Sequence, residues 1–187
     1  MNRTPLRSAV RLTACVSLLA LAGLAVAGPL NPPVGPVTST SKTLADVQPR
    51  IAINAANTPG DADSLFKITQ PGSYYLTGNI TGVTNKHGIE IAASGVTLDL
   101  GGFELIGVAA MGPFDGVAVT APLYSNITIT SGSVRNWSGD GVDLGFYAVP
   151  GCIVKEVRSS DNALSGIAMG IGGVVTQCTA YRNGGDG

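Results

Sequence analysis

The sequence predicts an all-β fold, a single-stranded solenoid in which a short unit coils as stacked rungs, and three observations carry that prediction. First, a polar residue, a glycine and a β-branched residue recur at His87-Gly88-Ile89, Asp115-Gly116-Val117, Asp140-Gly141-Val142 and Ser165-Gly166-Ile167, and Asp186-Gly187 opens another copy. These glycines lie 28, 25, 25 and 21 residues apart, the length of one solenoid turn. Second, Val134-Arg135-Asn136, Val157-Arg158-Ser159 and Tyr181-Arg182-Asn183 repeat at 23 and 24 residues. Third, the runs between these marks are short and β-rich (Val96-Thr97-Leu98, Ile127-Thr128-Ile129, Ile153-Val154, Val174-Val175-Thr176), with Gly, Asn, Ser and Asp at the corners. No helix of ordinary length fits inside such a unit.

Composition agrees. The 187 residues, about one domain by length, include 26 glycines and 11 prolines, with 12% charged and 44% apolar residues. The absence of a Gly-x-x period excludes collagen, and the apolar content argues against wholesale disorder. The formal charge is −1, but from Gly28 onward eight Lys/Arg face twelve Asp/Glu, near −4. With no basic tract, nucleic acid is not an expected partner.

Residues 1–27 read as a secretion signal peptide: Arg3, Arg7 and Arg11, then the apolar run Leu12 to Val26, then Ala25-Val26-Ala27 as small residues for cleavage. The expected location is secreted, periplasmic or cell surface. The apolar run is too short for a bilayer span of ~20 residues, so no membrane span is expected in the mature chain. Residues 28–43 are a Pro/Thr/Ser-rich leader. Residues 44–67 are a cap or a linker, with a short helix allowed between Leu44 and Thr58 because Ile51, Ala52, Ala55 and Ala56 share a face. Rungs fill 68–187, entered through the Pro71-Gly72 turn. Asp186-Gly187 begins a unit with no capping sequence behind it, so a piece of a longer coil is expected.

Strand alternation places Ile127 and Ile129 inside and Thr128 and Thr130 outside, and Val96, Leu98 and Leu100 inside around Thr97 and Asp99. Asn136 and Asn183 are expected to stack in a polar corner ladder.

The Gly-Ser-Tyr-Tyr-Leu strand at 72–76, the unit Ile89…Val96-Thr97-Leu98-Asp99-Leu100-Gly101-Gly102 and the recurrent Asn-x-x-x-Asp-Gly corners resemble secreted bacterial right-handed parallel β-helix repeat proteins of the pectin-lyase-like fold. The resemblance covers about residues 65–187. It implies a right-handed coil, and an architecture that hosts polysaccharide lyases, hydrolases, uronate epimerases, adhesins and phage tail components, so it is specific for fold and weak for activity.

If Arg135, Arg158 and Arg182 are equivalent, they form a ladder with steps of about 4.8 Å, suited to the carboxylates of an acidic polysaccharide such as pectate or alginate. Otherwise they are solvated outward residues. In a Ca²⁺-dependent lyase or uronate epimerase, such an arginine would take the proton α to the carboxyl group. Asp115, Asp140 and the nearby Asp143 are candidate Ca²⁺ ligands, or Asp115 and Asp140 simply make turns by accepting their own backbone hydrogen bonds. Glu90 and Asp143 share one offset two rungs apart, with Ala118 between them, which implies about 10 Å of separation, slightly beyond an inverting glycosidase pair. His87, the one histidine, reads as a corner residue rather than a base. Trp137, Phe146 and Tyr147 either stack on sugar or fill space under loops. Cys152 and Cys178 fall in neighbouring rungs, where a disulfide and buried thiols are both open. No CxxC, zinc cluster, phosphate loop or serine elbow is present.

These features predict an exported, monomeric β-helix protein that binds polysaccharide or acts at the cell surface, without a catalytic motif in this segment. A lyase or epimerase on pectate or alginate is one alternative, and a structural or adhesive surface protein is the other.

Overall fold

The computed structural model describes residues 49–110, 112–146 and 149–185. The expected secretion signal and leader, the first residues of the 44–67 segment, Tyr147 and the Asp186-Gly187 opening lie outside the described residues.

Fourteen strands and no helix are found among the described residues, and none of their segments is a helix long and apolar enough to cross a membrane. Sheet pairing defines a parallel β-solenoid. One five-stranded sheet collects β2 (Ser64–Ile68), β5 (His87–Ile91), β8 (Val117–Ala118), β10 (Val142–Leu144) and β12 (Ile167–Met169), one strand from each turn. The other runs β1 (Ile51–Ala52), β3 (Gly72–Tyr75), β6 (Val96–Asp99), β9 (Thr128–Arg135), β11 (Ile153–Ser160) and β13 (Val174–Thr176). Beside that path lie β4 (Ile80–Thr81), β7 (Glu104–Ile106) and β14 (Thr179–Tyr181). The eight-residue β9 and β11 each bend and serve two sides of the coil: β9 pairs β6 with its first half and β7 with its second, and β11 pairs β13 and then β14.

The glycine period sets the register. Ile89, Val117, Val142 and Ile167 are stacked partners, one after each repeated glycine. Alternation does the rest. Val96, Leu98, Leu100, Ile127 and Ile129 are buried, while Thr97 is exposed and Thr128 half-buried. Stacked aliphatic side chains therefore form one continuous core from Ile53 to Ile167.

Left-handed backbone turns the corners. Gly95, Asn126, Gly151 and Gly172, aligned from rung to rung, all have φ between 56° and 75°. Ser131 and Glu156 bend the long strands, Gln177 stands at the equivalent point between β13 and β14, and Asn136, Asp161 and Arg182 turn the third corner. The repeated glycines 88, 116, 141 and 166 serve a different need, close approach. Added Cβ atoms there would lie 2.5 Å from Gly116 O, 2.3 Å from Val134 Cγ1, 2.1 Å from Ser159 Oγ and 2.5 Å from Asn183 Nδ2, respectively.

Facing these glycines is a polar column of Trp137, Asn162 and Asn183. Asn183 Oδ1 accepts the Asn162 N–H at 3.1 Å, and Asn162 Oδ1 accepts the Trp137 N–H at 3.0 Å. The expected Asn136–Asn183 ladder is thus replaced by Asn162–Asn183, because Asn136 sits one position earlier at the left-handed corner.

The helix allowed between Leu44 and Thr58 is not formed in its described part. β1 pairs with β3, and residues 54–58 make a turn in which Asn54 Oδ1 accepts the Ala56 and Asn57 amides. Pro59 then bridges antiparallel to Phe66 along β2.

Candidate functional site

The outward face of the five-stranded sheet carries one column of partners: Lys67, Glu90, Ala118, Asp143 and Ala168. The shared offset of Glu90 and Asp143 on either side of Ala118 is therefore real. Two rungs separate the carboxylates by about 10 Å, and alanine between them contributes only a methyl. The result is a cleft of about 220 Å³ over Ala118, with His87, Asp115, Thr120, Asp143 and Phe146 on its walls.

The fold holds the groups on these walls and those just behind them. Glu90 is 4% exposed; it accepts the Thr120 hydroxyl at 2.6 Å and faces Lys67 Nζ at 2.8 Å. Lys67 also reaches Asp61 Oδ2 at 2.7 Å. Hydrogen bonding to Asp61 first and Glu90 second holds the ammonium well above its ordinary range, and Lys67 pulls Asp61 well below the carboxylate range. Asp143 Oδ1 accepts the Gly145 and Phe146 amides at 2.9 and 3.0 Å, which fixes the loop that carries Phe146. The Phe146 side chain is 79% exposed.

A second device runs along the corner before this sheet. His87 Nδ1 accepts the Asp115 N–H at 3.0 Å, Asp115 Oδ1 accepts the Asp140 N–H at 2.7 Å, and Asp140 Oδ1 accepts the Ser165 N–H at 2.5 Å. The aspartates thus cap the next rung's backbone instead of their own, a correction to the local-turn expectation. The His87 ring also meets Phe114 edge-on at 4.9 Å.

Burial raises Asp143 above the ordinary carboxylate range; the Gly145 and Phe146 amides oppose it, the charge of Asp115 adds to it, and His87 counters it weakly. Burial raises Asp140 too, with Asp115 and Asp143 adding. A carboxyl raised in the fold costs stability once pH exceeds its folded pKa, and that cost vanishes below the unfolded carboxylate range. Asp143→Asn keeps the acceptor oxygen. It is expected to increase the urea midpoint at pH 7, with the gain closing as pH falls below about 4. Equal midpoints at pH 7 would show that burying Asp143 carries no such cost.

Several expected site residues are placed differently. Among the described residues, no group of three or more His, Cys, Asp or Glu is arranged to hold a metal ion. One oxygen each of Asp115, Asp140 and Asp143 is committed to backbone N–H groups, which does not fit the six to eight oxygens that Ca²⁺ gathers. The arginine ladder is not formed. Arg135 pairs with Ser160, which pairs with Tyr181, while Arg158 sits between Ser133 and Thr179. Arg135 is bound to Glu104 at 3.1 Å, Arg182 is paired with Asp161, and Arg158 is exposed. Trp137 is 1% exposed and donates Nε1–H to Leu105 O at 3.3 Å, so it is a core residue and not a sugar platform. Cys152 and Cys178 are free thiols; Cys152 is buried and Cys178 half-buried, its Sγ against Val154 O.

Thr120 and Lys67 were not anticipated. Thr120 lies in a loop outside the repeat, and β2 lacks the Gly-β-branched opening that would have aligned Lys67 with Glu90. A larger recess of about 450 Å³ lies earlier on the same connections as the aspartate ladder, against Asn136, Trp137, Ser138 and Asp161, but its one carboxylate is occupied by Arg182. No family model matches the chain, and neither a curated protein nor a solved structure matches it.

Proposed function

We propose that this chain is an exported β-solenoid of the pectin-lyase-like kind that binds a neutral, hydroxyl-rich polysaccharide along the outward face of its five-stranded sheet. The observation that carries this reading is the cleft over Ala118, where fixed carboxylate and hydroxyl acceptors lie beside the exposed Phe146 ring. Sugar hydroxyls donate to such acceptors, and an aromatic face covers the C–H surface of a pyranose. The sheet places Asp143, and Asp143 fixes the loop that carries Phe146, which lowers the ordering cost at binding. Carboxylate walls repel a uronate polymer. The arginine ladder that favoured pectate or alginate is not formed, so a neutral chain is the better ligand. The signal-like residues 1–27 support export to the periplasm, the cell surface or the medium.

The test is affinity electrophoresis and calorimetry of the full secreted chain against xylan, mixed-linkage glucan and galactomannan, beside polygalacturonate and alginate, with reducing ends followed in the same samples. Binding to at least one neutral polymer is expected, weakened about tenfold, or ~1.4 kcal/mol, by Phe146→Ala and by Asp143→Ala. Binding confined to the uronate polymers would overturn the ligand class. Binding to none would leave a structural or adhesive surface role.

A further inference from the structure

We propose that His87 is a two-position proton switch in the wall of the cleft. It is the first member of the corner ladder, in which each side chain accepts the backbone N–H of the following rung, and it is the one member whose acceptor is a ring nitrogen. A nitrogen that accepts must carry a lone pair. In this geometry the imidazole is therefore neutral and its proton sits on Nε2.

Adding a proton to Nδ1 sets a donor against the Asp115 N–H, which is itself a donor. The nearest alternative is already in place, since Asp115 Oδ2 lies 3.3 Å from the same nitrogen. Protonation thus exchanges one bond for another: His87 stops accepting from the Asp115 backbone and starts donating to the Asp115 carboxylate. Asp115 is 9% exposed, so its released N–H has little access to water and the rung must adjust to satisfy it. The adjustment passes along the ladder, because Asp115 O accepts the Gly88 N–H and Asp115 Oδ1 accepts the Asp140 N–H.

The charged groups around His87 are few. Asp63, before β2, accepts the His87 N–H through its carbonyl. Lys86 precedes His87 in the chain and directs its ammonium to the Asp61 carbonyl. Glu90 lies on the same strand and is matched by Lys67. Asp115 and Asp143 face the ring from the next two turns, and Asp143 is coupled electrostatically to His87. The exchange requires no ligand.

His87 is the only histidine in these 187 residues, so selective ¹⁵N-histidine labelling of this chain yields a single imidazole. Two-bond proton–nitrogen correlation spectra recorded from about pH 4 to 9 report its tautomer, and backbone spectra report the Asp115 amide. The expected result is a neutral ring protonated on Nε2, with the Asp115 amide shifting at the same midpoint as the ring. In His87→Asn the side-chain oxygen supplies an acceptor that does not titrate, and the Asp115 amide should lose that shift. A neutral ring protonated on Nδ1 would overturn the proposal, as would an Asp115 amide that ignores the ring's midpoint or titrates unchanged in the asparagine variant. If that variant does not fold, the wild-type tautomer and the shared midpoint decide. All of these readings are made without saccharide, so they stand or fall separately from carbohydrate binding.

Discussion

Gly116→Ala is expected to be among the most damaging single substitutions in the coil, lowering stability by about 3 kcal/mol or more. The added methyl would lie 2.3 Å from Val134 Cγ1, 2.5 Å from Gly141 O and 3.0 Å from Trp137 Nε1. None of these can retreat. Val134 is fully buried, Gly141 O accepts the Val117 N–H of the sheet, and Trp137 is wedged against the core. Gly78→Ala is the matched control, since its methyl would meet nothing within 4 Å, and its effect should stay within about 0.5 kcal/mol. Urea denaturation at fixed pH checks both. Equal midpoints for the two variants would mean that the glycine column is not set by close approach.

Trp137→Ala should cost about 3–5 kcal/mol, the range for deleting a buried aromatic side chain. Its ring fills the space left by two glycines: a Cβ on Gly88 would lie 2.8 Å from Trp137 Cη2, and one on Gly116 would lie 3.0 Å from Nε1. Truncation opens a cavity there and strips Leu105 O of its indole partner. As the only tryptophan, Trp137 reports the wild-type transition by fluorescence, and the variant is followed by circular dichroism. A midpoint unchanged from wild type would remove Trp137 from the set of residues that hold the turns together.

The sequence made the coil legible because close approach forces the same small residue at the same point of every turn. Gly88, Gly116, Gly141 and Gly166 therefore gave the register, and the register gave Glu90, Ala118 and Asp143 as one column. The arginines misled for the same reason in reverse. Val134-Arg135 and Val157-Arg158 look alike, yet Val134 pairs with Ser159, because the inward position of the next rung holds a serine that bonds Gly166 O. Turn length also changes locally, so an interval of 23 or 24 between similar tripeptides is not an interval between partners. The helical pattern of Ile51, Ala52, Ala55 and Ala56 yielded to pairing with β3 and to the Asn54 turn. Half of the cleft was readable. Asp115 and Asp143 were named, but the acceptor role of His87 depends on an atom-level match between adjacent turns, and no single turn encodes it.

The two polar columns also bear on how a gene for such a protein can lengthen. Each column joins a side chain in one turn to the backbone of its neighbour, so copying the coding segment for a complete turn preserves every junction. The corner between Val134 and Val142 has the same length as the one between Ser159 and Ile167, whereas the equivalent corner between Leu105 and Val117 is four residues longer and still delivers Asp115 to the ladder. The opposite corner varies as well: it is short at residues 92–95 and 170–173 and longer at 120–127 and 145–152. Both corners therefore absorb changes in length while the sheet register is kept, and on the side that carries Thr120 and Phe146 such changes reshape the rim of the cleft.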